Sequence, residues 1–226
     1  MYGSSIIPAS IPYPFQWTLD TGAVDAGVTT ESARGYLRQV LDDQDSIIES
    51  MCVAATSQIE EEFGLVAIRR TLTYTSNDWP WRQQPGAWPQ LQIPRAPFVD
   101  GCEIESIKYY DSNGTQQTID PDDYTAAKTG THGAAAIWPV GTYQWPQINR
   151  NNNGRPNAFE AIYTIGYEDT DAVPDLLRLA ILNLVSEMFR RDPRQVNADV
   201  ARQIRQQTHG FIGSLYMTSN AFLRTI

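Results

Sequence analysis

Twenty-six carboxylates, two histidines and two cysteines are the side chains of this 226-residue chain best suited to acid–base, metal or nucleophilic work. His132 and His209 each lie in a glycine-containing stretch. A zinc site or a Ser-His-Asp triad needs partners that the sequence does not place near either. Cys52 falls in a helical pattern and Cys102 beside a strand, so both read as reduced thiols of a cytosol-made protein, without a disulfide framework or a metal set. Asp120-Pro121-Asp122-Asp123 and Asp42-Asp43-Gln44-Asp45 are acidic enough to suggest calcium. Neither has the Asp-x-Asp-x-Asp-Gly loop with its closing glutamate, and they read as a turn and a helix cap. A carboxylate-pair hydrolase needs two carboxylates set off by spacing, and no pair is. The residue types therefore lean against an enzyme, and no cofactor, metal or catalytic residue is expected.

Four tryptophans precede proline: Trp79-Pro80, Trp88-Pro89, Trp138-Pro139 and Trp145-Pro146. Exposed tryptophans on a β-rich module can stack on sugar rings, so a carbohydrate-binding module is one reading. Burial on their own sheet as loop anchors is a second. Protein contact, where tryptophan is favoured at hot spots, is a third, and it makes Trp79, Trp81 and Trp88 a contact loop.

The net charge of −9 and a pI near 4.7 argue against a basic nucleic-acid footprint. The charge is unevenly spread. From Asp20 to Glu62 ten carboxylates stand against Arg34 and Arg38; they include Asp42, Asp43, Asp45, Glu49, Glu60, Glu61 and Glu62. After Leu176 seven arginines, among them Arg190, Arg191, Arg194, Arg202 and Arg205, stand against three carboxylates. An acidic front and a basic back in one chain invite head-to-tail contact between copies. The longest apolar runs are too short to span a bilayer, so no membrane partner is expected. The proline-broken start, with no basic n-region, does not read as a signal peptide.

The elements that must position these residues follow from periodicity. Residues 1–27 carry Pro8, Pro12 and Pro14 among scattered apolar side chains and read as an arm rather than a packed element, laid either as a strap across its own domain or on another subunit. Thr29 or Thr30 caps a helix to about Leu41; a second carries Ile47, Ile48, Met51, Ala55, Ile59 and Phe63 and ends at Gly64. From Ile68 the period becomes two, and short strands follow over Leu91–Pro94, Glu103–Tyr110, Thr115–Ile119, Ala134–Trp138 and Phe159–Ile165. Residues 141–157 read as a polar surface excursion. Val173–Pro193 is a helix apolar around most of its circumference, hence a core helix. The predicted fold is α+β: helices packed with a small antiparallel β-sheet, a long apolar C-terminal core helix, and extended N- and C-terminal arms. The divisions are 1–27 (arm), 28–193 (domain) and 194–226 (C-terminal segment).

The ordered series EEEFG, RRTLTYT, LQIPRAPF, IESIKYYDSNGTQQTIDPDDY, AIYTIGY and VPDLLRLAILNLVSEMFRRD resembles the gp6-like head–tail connector (adaptor) proteins of tailed bacteriophages, from about Val28 to Pro193. The resemblance implies a structural protein of the virion neck, assembled in the host cytoplasm. It implies a homo-oligomeric ring, commonly of twelve copies, below the portal protein. Such a ring extends the DNA channel, lets double-stranded DNA pass without specific binding, and meets a downstream neck, stopper or tail protein. It also implies that the C-terminal segment docks on the portal. Phe211, Ile212, Leu215, Tyr216, Met217, Phe222 and Leu223 are the candidate contacts there, because they follow too late to join the core closed by the long helix and Gly210 and Gly213 loosen the backbone around them. The acidic residues would then line the channel or meet the basic ones between subunits, and the tryptophan loop would face the neck protein.

Overall fold

A computed structural model of the chain describes residues 17–38, 44–80, 90–128, 133, 135–148, 155 and 157–190. Three helices and eight strands are described: β1 (Trp17–Asp20), α1 (Thr30–Leu37), α2 (Asp45–Phe63), β2 (Arg70–Ser76), β3 (Leu91–Gln92), β4 (Ile104–Tyr110), β5 (Gln116–Thr118), β6 (Tyr124–Lys128), β7 (Ala135–Pro139), β8 (Phe159–Ile165) and α3 (Asp175–Arg190). The class is α+β, as expected. All strand pairs are antiparallel, but they form two sheets where one was expected: β1-β2-β8-β4-β5 and β3-β7-β6.

The helices start and stop where local chemistry says. The Thr29 hydroxyl accepts the Ser32 N–H at 3.1 Å, satisfying one orphan donor at the N-terminus of α1. Gly64, at φ 63°, closes α2 with its N–H on the Glu60 carbonyl. α2 and α3 lie antiparallel. The end of α2 runs into Ala67, and the start of α3 follows Tyr167, whose N–H bonds the Ala67 carbonyl at 3.2 Å. The Gly-Tyr pair before α3 has a steric cause. A Cβ on Gly166, at φ +113°, would sit 2.9 Å from the backbone of Ile68 and Arg69.

Two cores result. One lies among the helices: Ala33, Ile48, Cys52, Ala55, Phe63, Leu177, Ile181 and Val185. The other lies between the sheets and is aromatic: Tyr74, Trp79, Tyr124, Phe159 and Tyr163 with Leu72, Leu91 and Ile137. β8 shows strict alternation, with Phe159, Ala161, Tyr163 and Ile165 buried and Glu160, Ile162 and Thr164 on the wetter face.

Three readings of the sequence are corrected. Trp17–Asp20, read as part of an unpacked arm, is a packed element, an edge strand on β2, with the Thr18 and Thr75 hydroxyls 2.7 Å apart. Gly27 is buried too; its N–H donates to the Thr56 hydroxyl at 2.9 Å. A four-residue strand is too short to show a period, which is why it read as arm. Second, the turn at Asp120–Tyr124 leads directly into β6, which was missed because Thr125-Ala126-Ala127 carries little alternation. Third, the stretch after Gly141 is not simply a polar excursion. Tyr143 and Trp145 pack on the aromatic core and Ile148 is buried in it.

Candidate functional site

The carboxylates of α2 and its flanks are the charged set that the sequence singled out. The structure gives the described ones different fates. Glu60 is 2 % exposed. Its Oε1 accepts the Ala67 N–H at 2.7 Å and Arg70 Nη1 at 2.9 Å, while Oε2 accepts Arg70 Nη2 at 2.5 Å. Arg70 also donates Nε to the Thr21 carbonyl at 2.7 Å. This fork-on-fork clasp ties the end of α2 to β2 and to the residues after β1. Glu60 is therefore not a channel or intersubunit residue; a carboxylate this enclosed is satisfied inside its own subunit. Sequence alone did not distinguish it from Glu61 and Glu62, because the partner, Arg70, is ten residues away on a strand.

Glu61 is on the outside, with 71 % of its side chain exposed, and accepts Arg95 Nη2 at 2.9 Å. Arg95 also donates to the Glu60 carbonyl. Glu62 is half-buried and Glu49 exposed. Asp45 sits 3.4 Å from Arg34 Nε, linking the start of α2 to the last turn of α1. Asp42 and Asp43 lie outside the described residues. Of the basic set, Arg190 is exposed at the end of α3. Arg191, Arg194, Arg202 and Arg205 lie outside the described residues, as do all seven residues named for portal docking.

Trp79 is the second correction within the site. It is 4 % exposed, and its indole N–H donates to the Pro146 carbonyl at 3.0 Å. Its ring lies 5.2 Å from Phe159, 5.6 Å from Trp145 and 5.8 Å from Tyr109. It anchors its loop on the core and cannot be the contact residue that the sequence suggested, since the ring is already enclosed on its own sheet. Trp81 and Trp88 lie outside the described residues.

The helical layer also exposes apolar side chains that the helical pattern placed inward, Ile47 of the α2 row among them. Tyr36 is 41 % exposed, Ile47 52 % and Leu179 44 %, one from each helix. The Tyr36 hydroxyl donates to Asn183 Oδ1 at 2.5 Å, pinning α1 across the outward side of α3. Cys52 is fully buried; desolvation first, then Glu49, raises its thiol to about 11, so it stays protonated at neutral pH. Among the described residues no cluster of three His, Cys, Asp or Glu could hold a metal ion.

No protein-family model matches the chain, and no curated protein matches it. Solved structures do share the fold. A chain from the neck of an empty gene transfer agent particle computed with C6 symmetry is 19 % identical with a TM-score of 0.58. One from the virion of the native particle is 18 % identical with a TM-score of 0.61. One from the neck of the native particle computed with C12 symmetry is 17 % identical with a TM-score of 0.54. Each alignment covers 84 % of this chain and 94 % of the other. At these identities the likeness is one of fold.

Proposed function

We propose that this chain is a structural neck subunit of a tailed bacteriophage or phage-like particle. In this reading it is a head–tail connector that assembles with copies of itself into a ring. The observation that carries the reading is the shared fold. It extends over 84 % of this chain and 94 % of its counterparts in necks computed with C6 and C12 symmetry. Rotational symmetry requires a heterologous interface, with different surfaces on the two flanks of each copy.

The finer picture is the gp6-like adaptor. Twelve copies sit below the portal, extend the DNA channel and meet a neck, stopper or tail protein on the lower face. Residues 194–226 dock on the portal. The charge pattern supports a channel that DNA slides through. Arg34, Arg70, Arg95, Lys108 and Arg178 are held in ion pairs within the subunit. Cations so held are poorly placed to grip phosphates, and carboxylates do not bind them. The role is structural, not catalytic, in the virion, after assembly in the host cytoplasm.

Negative-stain imaging of the full chain mixed with its portal tests the reading. A ring stacked on the portal is the expected image; a chain that stays monomeric at every concentration with portal present overturns it. The carbohydrate-binding alternative needs exposed tryptophans, and Trp79 is enclosed while Trp138 and Trp145 are half-buried. A glycan-array signal from the purified chain would favour that alternative.

A further inference from the structure

A sheet edge is a row of unpaired backbone groups, and proteins normally guard it with short strands, prolines, charges or bulges. Three of the four edges here are short or covered. β5 has three residues, β1 has four, and the Gln92 N–H of β3 bonds the Pro80 carbonyl. β6 has five, Tyr124 to Lys128, with a regular register on β7, no proline, and one charge at its end. Among the described residues no strand lies on its other side. Thr125, Ala127 and Lys128 are exposed.

The hydrogen-bond phase of that edge can be read off. Val140 donates to the Asp123 carbonyl at 2.9 Å, and Ile93 to the Ala135 carbonyl at 3.4 Å. The alternation of an antiparallel ladder then turns the backbone of Thr125 and Ala127 toward β7. The N–H and C=O groups of Tyr124, Ala126 and Lys128 point outward. The same three residues share the face on which Tyr124 is buried and Ala126 packs on the aromatic core. A strand added there would pair residue by residue with these three and lay apolar side chains beside that core.

The N-terminal sequence has this pattern. Ile11, Tyr13 and Phe15 are odd-numbered and apolar; Pro8, Pro12 and Pro14 are all even-numbered. In an extended strand residues two apart share both a face and a hydrogen-bonding edge. Such a segment offers donors on the edge of Ile11, Tyr13 and Phe15, and none from its three prolines on the other. It can cap one open edge and cannot propagate the sheet. We infer that the outer edge of β6 receives residues 11–15 of a neighbouring copy as an added strand.

The neighbour, rather than the same chain, is the source because of where the two features lie. β1, from which the arm departs, is the outer strand on the β2 side of the five-stranded sheet. β6 follows β5, the strand at the other end of that sheet, after five residues. Four strand spacings, about 19 Å, separate β1 from β5, while Phe15 is two residues from Trp17, a reach of about 7 Å. Arm on one flank and acceptor edge on the other make a head-to-tail contact that a rotation closes into a ring. The inference rests on the ring reading above.

Proline phase tests it in the full-length chain by sedimentation velocity over a concentration series, with portal present. Ala126→Pro removes an outward N–H and leaves the ladder to β7 intact. Ile11→Pro removes a donor from the pairing edge of the arm without touching the domain. Each should raise the concentration needed for assembly by at least about tenfold, given one or two lost hydrogen bonds per interface. Ser10→Pro, on the even phase, should leave it unchanged. Mixed together, Ile11→Pro and Ala126→Pro chains should form a dimer and stop, since one supplies the edge and the other the arm. Assembly of both variants at the wild-type concentration overturns the inference while the ring stands. If the wild type does not assemble, the ring reading fails. A synthetic Pro8–Gln16 peptide then still decides: binding to Ile11→Pro chains but not to the Ile11→Pro, Ala126→Pro double variant upholds the acceptor edge. Absence of binding overturns it.

Discussion

The two layers of this molecule are built differently. The helical core is mainly aliphatic and rich in small residues, with Ala33, Ala55 and Ala180 on the helices and Ala67 and Ala96 in the segments beside them, and it leaves Tyr36, Ile47 and Leu179 part-exposed. The core between the sheets is aromatic and encloses Tyr74, Phe159 and Tyr163 almost completely. Its unmet bonding lies in a backbone edge instead of an apolar surface. The two layers thus leave different kinds of surface incomplete: side chains on the helical layer, and backbone hydrogen bonds on the sheet; on the proposed connector reading, both would be met by other subunits. The buried Glu60–Arg70 clasp lies between them and makes the layers one unit.

The largest expected effect is in the aromatic core. Phe159 stacks edge-on against Tyr74 at 5.9 Å and lies against Trp79, so Phe159→Ala should cost about 3–5 kcal/mol in urea unfolding. Next comes the clasp. Glu60→Ala strands the Arg70 guanidinium, 11 % exposed, and should cost about 3 kcal/mol. It should also separate the far-UV and tryptophan unfolding transitions, which are expected to coincide in the wild type; coincident transitions in the variant would show that the layers are coupled by other means. The helical layer is sharpened by a matched pair. Leu177→Ala, at a fully buried site, should cost about 2–5 kcal/mol, whereas Leu179→Ala, 44 % exposed, should stay within about 0.5 kcal/mol of wild type. The Leu179 change should instead weaken assembly if that face meets another subunit.

The smallest effect belongs to the β4–β5 hairpin. The Asp111 carboxylate accepts from the Gln117 side chain and from the Thr115 and Asn113 N–H groups, which lowers its pKa. A lowered carboxylate contributes stability above its unfolded-state value and loses it as pH falls through the folded one. Asp111→Asn should therefore lower the melting temperature slightly at neutral pH, and the gap to wild type should close in acid. A gap that persists at pH values below the lowered folded-state pKa itself would assign the effect to hydrogen bonding by shape rather than by charge.

Much of this was legible in the sequence because its causes are local. Threonine before a helix, glycine after one, a three-and-four apolar row and strict alternation each act within a turn or a strand, so α1, α2, α3, β8 and the Asp111 hairpin could be read directly. The charge asymmetry and the proline phase of the arm are likewise properties of the linear order. What the order could not decide was partnership over distance. Three consecutive glutamates are equivalent in a string; only the approach of β2 buries Glu60 on Arg70 and leaves Glu61 outside. A tryptophan before proline reads the same whether it stacks on a ligand or on Phe159, and the packing of Pro146 and Trp145 over Trp79 enclosed it. The short strands β1 and β6 have no period of their own and exist because β2 and β7 offer them a ladder, since strand pairing derives its stability from the neighbour and not from the segment.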